Sequence, residues 1–287
     1  MIGSHLEKGS VCDMSVARPT FMYGTAWKED RTRDCARHAL DAGFRAIDTA
    51  NQRRHYFEAG VGEAVHQAID AGQVKREDLF LQTKFTYQRG QDHRLPYDPD
   101  APLTTQVQQS MASSLEHLHT TYVDSYVLHG PAHGSGWGDE DREVWAAMCA
   151  LKAEGKTRLL GVSNVSRKHL DELAASGAEL PVFVQNRCYA RQGWDRSVRQ
   201  FCKDRNISYQ GFSLLTANSD LFGQAAVKAV MKRLDATIAQ VVFRFSQQVG
   251  MIPLTGTTDP DHMKEDLACE KLELTPAEVS AIESLAG

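Results

Sequence analysis

The feature that most constrains this chain is an alternation of short apolar runs with helical patterns, repeated eight times. The runs are "TFMYG", "FRAIDTA", "DLFLQTKF", "YVDSYVLH", "TRLLGVSN", "PVFVQN", "ISYQGF" and "MIPLTG". They read as apolar on both faces, as strands buried in a parallel sheet do. The segments between them carry a different period. "DRTRDCARHALDAG" spaces Ala36, Ala39 and Leu40 for one helix face and stops at Gly43. "EAGVGEAVHQAIDAG" is expected to bury Val61, Val65 and Ile69 and to close at Gly72. "ATIAQVVFRFSQQVG" sets Ile238, Val241, Val242 and Phe245 on one stripe. Thr275-Pro276-Ala277-Glu278 matches a capping box that opens the last expected helix. Parallel strands need helical crossovers, so the class is α/β. No Gly-rich dinucleotide fingerprint follows any run, which favours a single closed (β/α)8 TIM barrel over an open doubly wound sheet. A length of 287 residues suits one such barrel. No linker or composition shift divides residues 19–287, and residues 1–18 read as a flexible lead-in that is a poor signal peptide.

A formal charge of −5 gives no long-range pull toward nucleic acid or anionic membrane. No run approaches the ~20 apolar residues of a membrane span. The six cysteines, at 12, 35, 149, 188, 202 and 269, include no C-x-x-C pair. They read as reduced thiols of a cytoplasmic protein, and zinc is not expected.

Functional side chains of such barrels cluster at the C-terminal ends of strands. Asp48, Lys84 and His129 close three consecutive expected strands. Neighbouring strands lie ~4.8 Å apart, so the three heads can meet. Each alone has an ordinary reading: a helix cap, a solvated lysine, a structural histidine. Together they are a candidate site, in which Asp48 would balance a desolvated Lys84. Tyr56, in the loop after Asp48, would supply a proton donor. A nearby ammonium is expected to lower its pKa. With a hydride source, this set makes a carbonyl reductase.

At these residues the sequence resembles the aldo-keto reductase superfamily. "GTAWK", "DTA…HYFEAGVGEA", "LQTK", "VDSYVLHGP", "GVSN", "VQN" and "IPLTGTT" follow the family's segments in order. The resemblance implies Asp48, Tyr56, Lys84 and His129 as a catalytic tetrad. It implies Ser163, Asn164 and Gln185 around a nicotinamide carboxamide, with Phe212 stacked on the ring. Gly24, Thr25, Ala26 and Asp48 are further implied cofactor contacts, and Ser213, Leu215, Thr255, Gly256 and Thr257 would line the phosphates. His262, Glu265 and Asp266 would border the adenosine. Trp27, His55, Phe85, Tyr87 and Trp137, with His129, are the expected substrate contacts. The implied cofactor is NADP(H) ahead of NAD(H), the implied partner a small carbonyl compound, and the implied state a monomer.

Three departures qualify the resemblance. Leu254 and His262 stand where many members carry bases that grip the 2′-phosphate of NADPH, and Asp266 adds negative charge. The segment after the last helix and the insert "GPAHGSGWGDED" are short, which predicts a shallow, open pocket. The loop after Asp48 exceeds the usual spacing, so Tyr56 has His55 as a rival, while Arg53 and Arg54 read as solvated charges. Two other functions fit the same residues: a nicotinamide-binding sensor or regulatory subunit, and a lyase or isomerase without hydride transfer.

Overall fold

The eight apolar runs form eight parallel strands in the computed structural model of the chain, which describes residues 16–286. They are β1 (Met22–Gly24), β2 (Ala46–Asp48), β3 (Phe80–Phe85), β4 (Val123–Leu128), β5 (Thr157–Ser163), β6 (Phe183–Arg187), β7 (Ser208–Phe212) and β8 (Met251–Thr255). Each pairs with the next, and β8 pairs with β1, which closes the barrel.

Strand side chains alternate between barrel interior and helix layer. Met22, Ala46, Phe80, Leu159, Phe183, Ile252 and Leu254 make one apolar interior cluster. The register then sets polar side chains side by side. Asp48 pairs with Gln82 and Gln82 with Ser125, while Ser163 pairs with Gln185 and Gln185 with Gln210. The opposite parity feeds the larger core between strands and helices, where Tyr23, Ile47, Leu81, Tyr126 and Leu128 sit.

The crossover helices are α1 (Thr32–Ala42), α2 (Glu58–Asp70), α3 (Leu103–His117), α4 (Asp139–Ala153), α5 (Arg167–Ala175) and α6 (Arg196–Asp204). After β7 come α7 (Ala225–Leu234) and α8 (Ile238–Gln248), and after β8 come α9 (Pro260–Ala268) and α10 (Pro276–Glu283). Gly43 ends α1 at φ 115°, a left-handed conformation that glycine adopts without a Cβ clash. Gly62 has a different reason: a Cβ there would lie 1.8 Å from the His117 carbonyl oxygen, so α2 can meet the end of α3 only without a side chain. The capping box of α10 is present, with Thr275 Oγ1 accepting from Glu278 N at 3.3 Å and Glu278 Oε2 accepting from Thr275 N at 2.8 Å.

Two helices were not expected. α7 buries only Val227 and Val230, too thin a stripe to show a period. α9 buries Met263 and Asp266 and is started by its cap instead: Asp259 accepts from Asp261 N and His262 N, with Pro260 in the first turn. Ile69 of α2 is half-buried rather than buried.

Arg18 Nη1 donates to Asn206 O at 2.8 Å and to Ser208 Oγ at 3.0 Å, which ties residues 16–18 to the start of β7. Residues 1–15, with Cys12 and most of the expected lead-in, lie outside the described residues. Among the described residues, Cys35, Cys149, Cys188, Cys202 and Cys269 are free thiols. No described helix is long and apolar enough to cross a membrane.

Candidate active site

β2, β3 and β4 deliver the three expected side chains to one end of the barrel. Asp48 ends β2, Lys84 is the penultimate residue of β3, and His129 follows β4. Lys84 is fully buried and donates to Asp48 Oδ1 at 2.7 Å and Thr49 O at 2.8 Å. A buried ammonium needs such partners. Burial still pulls its pKa below the usual lysine value, with Asp48 opposing.

The long loop after β2 turns back on itself. His55 N and Tyr56 N both donate to Gln52 O, at 3.2 and 3.0 Å, and Gln52 Nε2 is anchored on Gly90 O at 2.6 Å. That turn lays Tyr56 over the barrel mouth. Its ring centroid is 5.1 Å from Lys84 Nζ and 5.8 Å from the His129 ring, edge to face. No group among the described residues hydrogen-bonds its hydroxyl. His55 lies instead against exposed Trp27, with 4.0 Å between ring centroids. Arg54 is solvated, while Arg53 stacks over the Phe57 ring at 4.4 Å.

The expectation that Lys84 would lower the Tyr56 pKa is corrected. The Tyr56 pKa is raised, first by burial and then by the Asp48 carboxylate. A phenolate here would be desolvated, and the charge of Lys84 is already balanced by Asp48. Tyr56 therefore holds its proton at neutral pH. His129 is neutral as well: burial, then Lys84, then His55 push its pKa well below the usual histidine value. Its Nδ1 lies 2.7 Å from Thr86 Oγ1.

These groups open into a cavity of about 1140 Å³. Gly24, Ala26, Trp27, Asp48, His55, Tyr56, Tyr87 and His129 line one part. Ser163, Asn164, Gln185, Phe212, Ser213 and Leu215 line the next. Thr255, Gly256, Thr257, His262, Glu265 and Asp266 line the far end. Trp27, Asn164 and Ser213 have φ of 62°, 55° and 56°. Left-handed non-glycine residues cost roughly 1–3 kcal/mol each. Six others, at Glu29, His119, Trp194, Asp195, Asn206 and Asp235, do not line the cavity, so the strain is not particular to this wall. Asn164 Nδ2 donates to His129 O at 2.8 Å, which links the two.

Three predicted contacts are elsewhere. Phe85 is fully buried against Tyr87 and Tyr97, because Lys84 points into the barrel and its neighbour must point out. Trp137 is 4 % exposed and packs on Trp145, while its amide donates to Glu172 Oε2 at 2.7 Å. Beyond Gly130, which lines the cavity, the insert thus folds down on α4 and α5. Thr25 is buried beneath the mouth, its Oγ1 donating to Asp48 O at 2.9 Å.

Other residues here were not anticipated. Thr86, Arg89, Arg187 and Phe222 line the cavity, and so does Lys28. Lys28 is 3 % exposed, donates to Gly256 O at 2.8 Å, and sits 5.2 Å over the Tyr23 ring. Among the described residues no carboxylate pairs with it. Burial brings its pKa down to about 8. A buried ammonium without a counter-charge is costly to hold, and an anion entering the cavity would relieve that cost. At the far end Asp266 accepts from Thr255 Oγ1 at 2.7 Å, and burial raises its pKa to about 6. Lys28 had a visible signal, a lysine directly after Trp27 in the first loop. Its burial had none.

The family model described as "Aldo/keto reductase family" matches residues 20–286. The chain belongs to the aldo-keto reductase family. It is 30% identical over 252 residues to an aldo-keto reductase of Mycolicibacterium vanbaalenii, covering 86% of this chain and 80% of that protein. It is 26% identical over 285 residues to an uncharacterized oxidoreductase of Bacillus subtilis, covering 98% and 94%. The crystal structure of an aldo/keto reductase from Brucella melitensis superposes with a TM-score of 0.78 at 26% identity, over 93% of this chain and 95% of that one. Membership implies NAD(P)H-dependent oxidoreductase activity and a nicotinamide cofactor.

Proposed function

We propose that this protein reduces an aldehyde or ketone, or oxidises the corresponding alcohol, with Tyr56 as the proton donor. The observation that carries the proposal is Tyr56 at the cavity wall, protonated, its hydroxyl without a partner among the described residues and its ring beside both Lys84 and His129.

The residues fit a nicotinamide dinucleotide. Among the described residues, Gln185 has an unpartnered amide oxygen at the cavity, Phe212 lines it with Arg187 over its ring, and Lys28 is a buried cation without a counter-charge. Ser163, Asn164 and Gln185 would hold the carboxamide, and Lys28, Ser213, Gly256 and Thr257 the pyrophosphate. The bound cofactor would supply a hydride to the carbonyl carbon. The chain's own part is the oxygen. Tyr56 gives its proton to that oxygen as negative charge develops there. Lys84, beside the ring but sharing its charge with Asp48, offsets only part of the cost of the phenolate left behind, and Asp48 keeps Lys84 charged and in place. His129, neutral, would present Nε2–H to the same oxygen in the tautomer whose Nδ1 accepts from Thr86 Oγ1. This favours Tyr56 over His55, which packs on Trp27 at the lip.

NADP(H) is the proposed cofactor, on family membership. His262 and the threonines are the donors for a 2′-phosphate, while Glu265 and Asp266 oppose it, so discrimination against NAD(H) should be weak. A monomer acting in the cytoplasm on a small carbonyl compound completes the proposal.

NADPH and NADH oxidation with a panel of aromatic aldehydes tests it. Tyr56→Phe should lose ~10²–10⁴ in rate with cofactor binding intact, and His55→Ala should keep most activity. An unchanged rate in Tyr56→Phe rejects the assignment. Tight cofactor binding without turnover would point to a sensor, and turnover without cofactor to a lyase or isomerase.

A further inference from the structure

Inside the barrel, directly beneath the cavity, three glutamines and Asp48 form one buried network. Gln82 and Gln210 are fully buried, and Gln185 is 3 % exposed. They come from β3, β7 and β6, and each lies at an inward position of its strand. Gln82 and Gln210 pair reciprocally across the barrel: Gln82 Nε2 donates to Gln210 Oε1 at 2.8 Å, and Gln210 Nε2 to Gln82 Oε1 at 3.0 Å. Gln82 Nε2 also donates to Asp48 Oδ1 at 2.7 Å. Gln185 Nε2 gives its two hydrogens to Asp48 Oδ1 at 3.0 Å and Gln210 Oε1 at 2.9 Å.

This leaves Gln185 one permitted orientation. An isolated primary amide can turn over and present either its oxygen or its NH2 group. Here both inner partners are acceptors. An ionised carboxylate has no hydrogen to give. The Gln210 oxygen has none either, and the Gln82 pair prevents Gln210 from flipping. The Gln185 oxygen, with no partner among the described residues, must therefore face the cavity.

We propose that Gln82 and Gln210 are positioning residues that lock Gln185 as a hydrogen-bond acceptor, so that the site selects a cofactor carboxamide and rejects a carboxylate in its place. The inference rests on the reading of this cavity as a nicotinamide site. A flipped Gln185 would lose two hydrogen bonds and set its oxygen against the Asp48 and Gln210 oxygens. A carboxylate ligand meets the Gln185 oxygen with no hydrogen between them.

The test is a set of dissociation constants from protein fluorescence titration. The probes are NADP+, its deamido analogue bearing nicotinic acid, and 2′-phospho-ADP-ribose, which lacks the pyridine ring. In the unaltered protein the deamido analogue should bind roughly 100-fold more weakly than NADP+, about tenfold for each locking bond. In Gln210→Met, which removes one lock at nearly constant volume, that ratio should fall to roughly tenfold. Binding of the ring-less probe should not change, whereas a merely structural role would move all three probes alike. Gln82→Met, which frees Gln210 to flip, should lower the ratio in the same direction and decides the matter if Gln210→Met does not fold. Equal binding of NADP+ and its analogue by the unaltered protein, or an undiminished ratio in the variants, overturns the lock while leaving the nicotinamide reading intact. Failure of NADP+ and 2′-phospho-ADP-ribose alike to bind overturns that reading itself.

Discussion

Replacing Lys28 by Met should move stability and cofactor binding in opposite directions. The ordinary lysine value of 10.5 falls to about 8 in the folded chain. At about 1.4 kcal/mol per tenfold, holding that charge without an anion costs about 3 kcal/mol at neutral pH. The Gly256 hydrogen bond returns about 1 kcal/mol, and methionine keeps the packed stem. Lys28→Met without cofactor should thus be more stable by about 2 kcal/mol at pH 7, several degrees in Tm. The pH dependence has a defined sign. Between pH 8 and 10.5 the unfolded chain holds this proton and the folded chain has lost it, so the unaltered protein gains stability as pH rises. The gap between the two proteins should be flat below about pH 8 and shrink above it. Binding should go the other way. Losing one charge-assisted bond to a phosphate costs about 1.5–3 kcal/mol, or roughly 10–150-fold in Kd. For the unaltered protein, affinity should also fall above pH 8 as the free ammonium deprotonates. Thermal melts across pH, with and without NADPH, measure both effects. A Lys28→Met variant that is less stable without cofactor, or that binds NADPH as well as the unaltered protein, refutes the assignment of Lys28 as an unpaired anion-seeking charge.

Three further outcomes are expected. Lys84→Met breaks a fully buried pair and should cost about 3–5 kcal/mol in urea unfolding, together with most of the turnover; a stability change below 1 kcal/mol would mean Asp48 is satisfied by the glutamines alone. Asp266→Asn removes a negative charge from the adenosine end and should improve NADPH binding relative to NADH severalfold above pH 6, where this carboxyl is ionised; parallel titrations of the two cofactors would show an unchanged ratio if Asp266 faces away from the phosphate. Arg89 and Arg187 line the cavity, whereas Asp48, the one carboxylate in its catalytic part among the described residues, is paired with Lys84. Rates with 4-carboxybenzaldehyde should therefore exceed those with benzaldehyde in kcat/KM by about 2–5-fold, the worth of an exposed ion pair. That margin should disappear in Arg89→Gln with Arg187→Gln or in high salt, and equal rates at low salt would reject it.

Much of this was legible in residue order. Strand and helix periods are local properties, so the eight alternations specified the barrel, and strand-end positions brought Asp48, Lys84 and His129 together. Parity was legible too, and it should have excluded Phe85 once Lys84 was taken to point inward. The thin apolar faces of α7 and α9 offered no period to read. Tyr56 could be preferred to His55 only for its hydroxyl; where the two rings lie was out of reach, because it depends on a turn closed through the Gln52 carbonyl and on a Trp27 brought from another loop. The state of each proton was equally hidden. Tyr56 was expected to acidify beside an ammonium, but Asp48 balances that ammonium and burial dominates. Sequence by itself determined the barrel, the family and part of the cavity lining, while it placed Phe85 and Trp137 there wrongly and missed Lys28, Arg89 and Arg187. Only barrel closure decided which of them lose water and which atoms they then share. Among the described residues Lys28 was left without a counter-charge and Gln185 without a choice of orientation. Desolvation and hydrogen-bond direction depend on neighbours from distant strands, and no local pattern of residues encodes them.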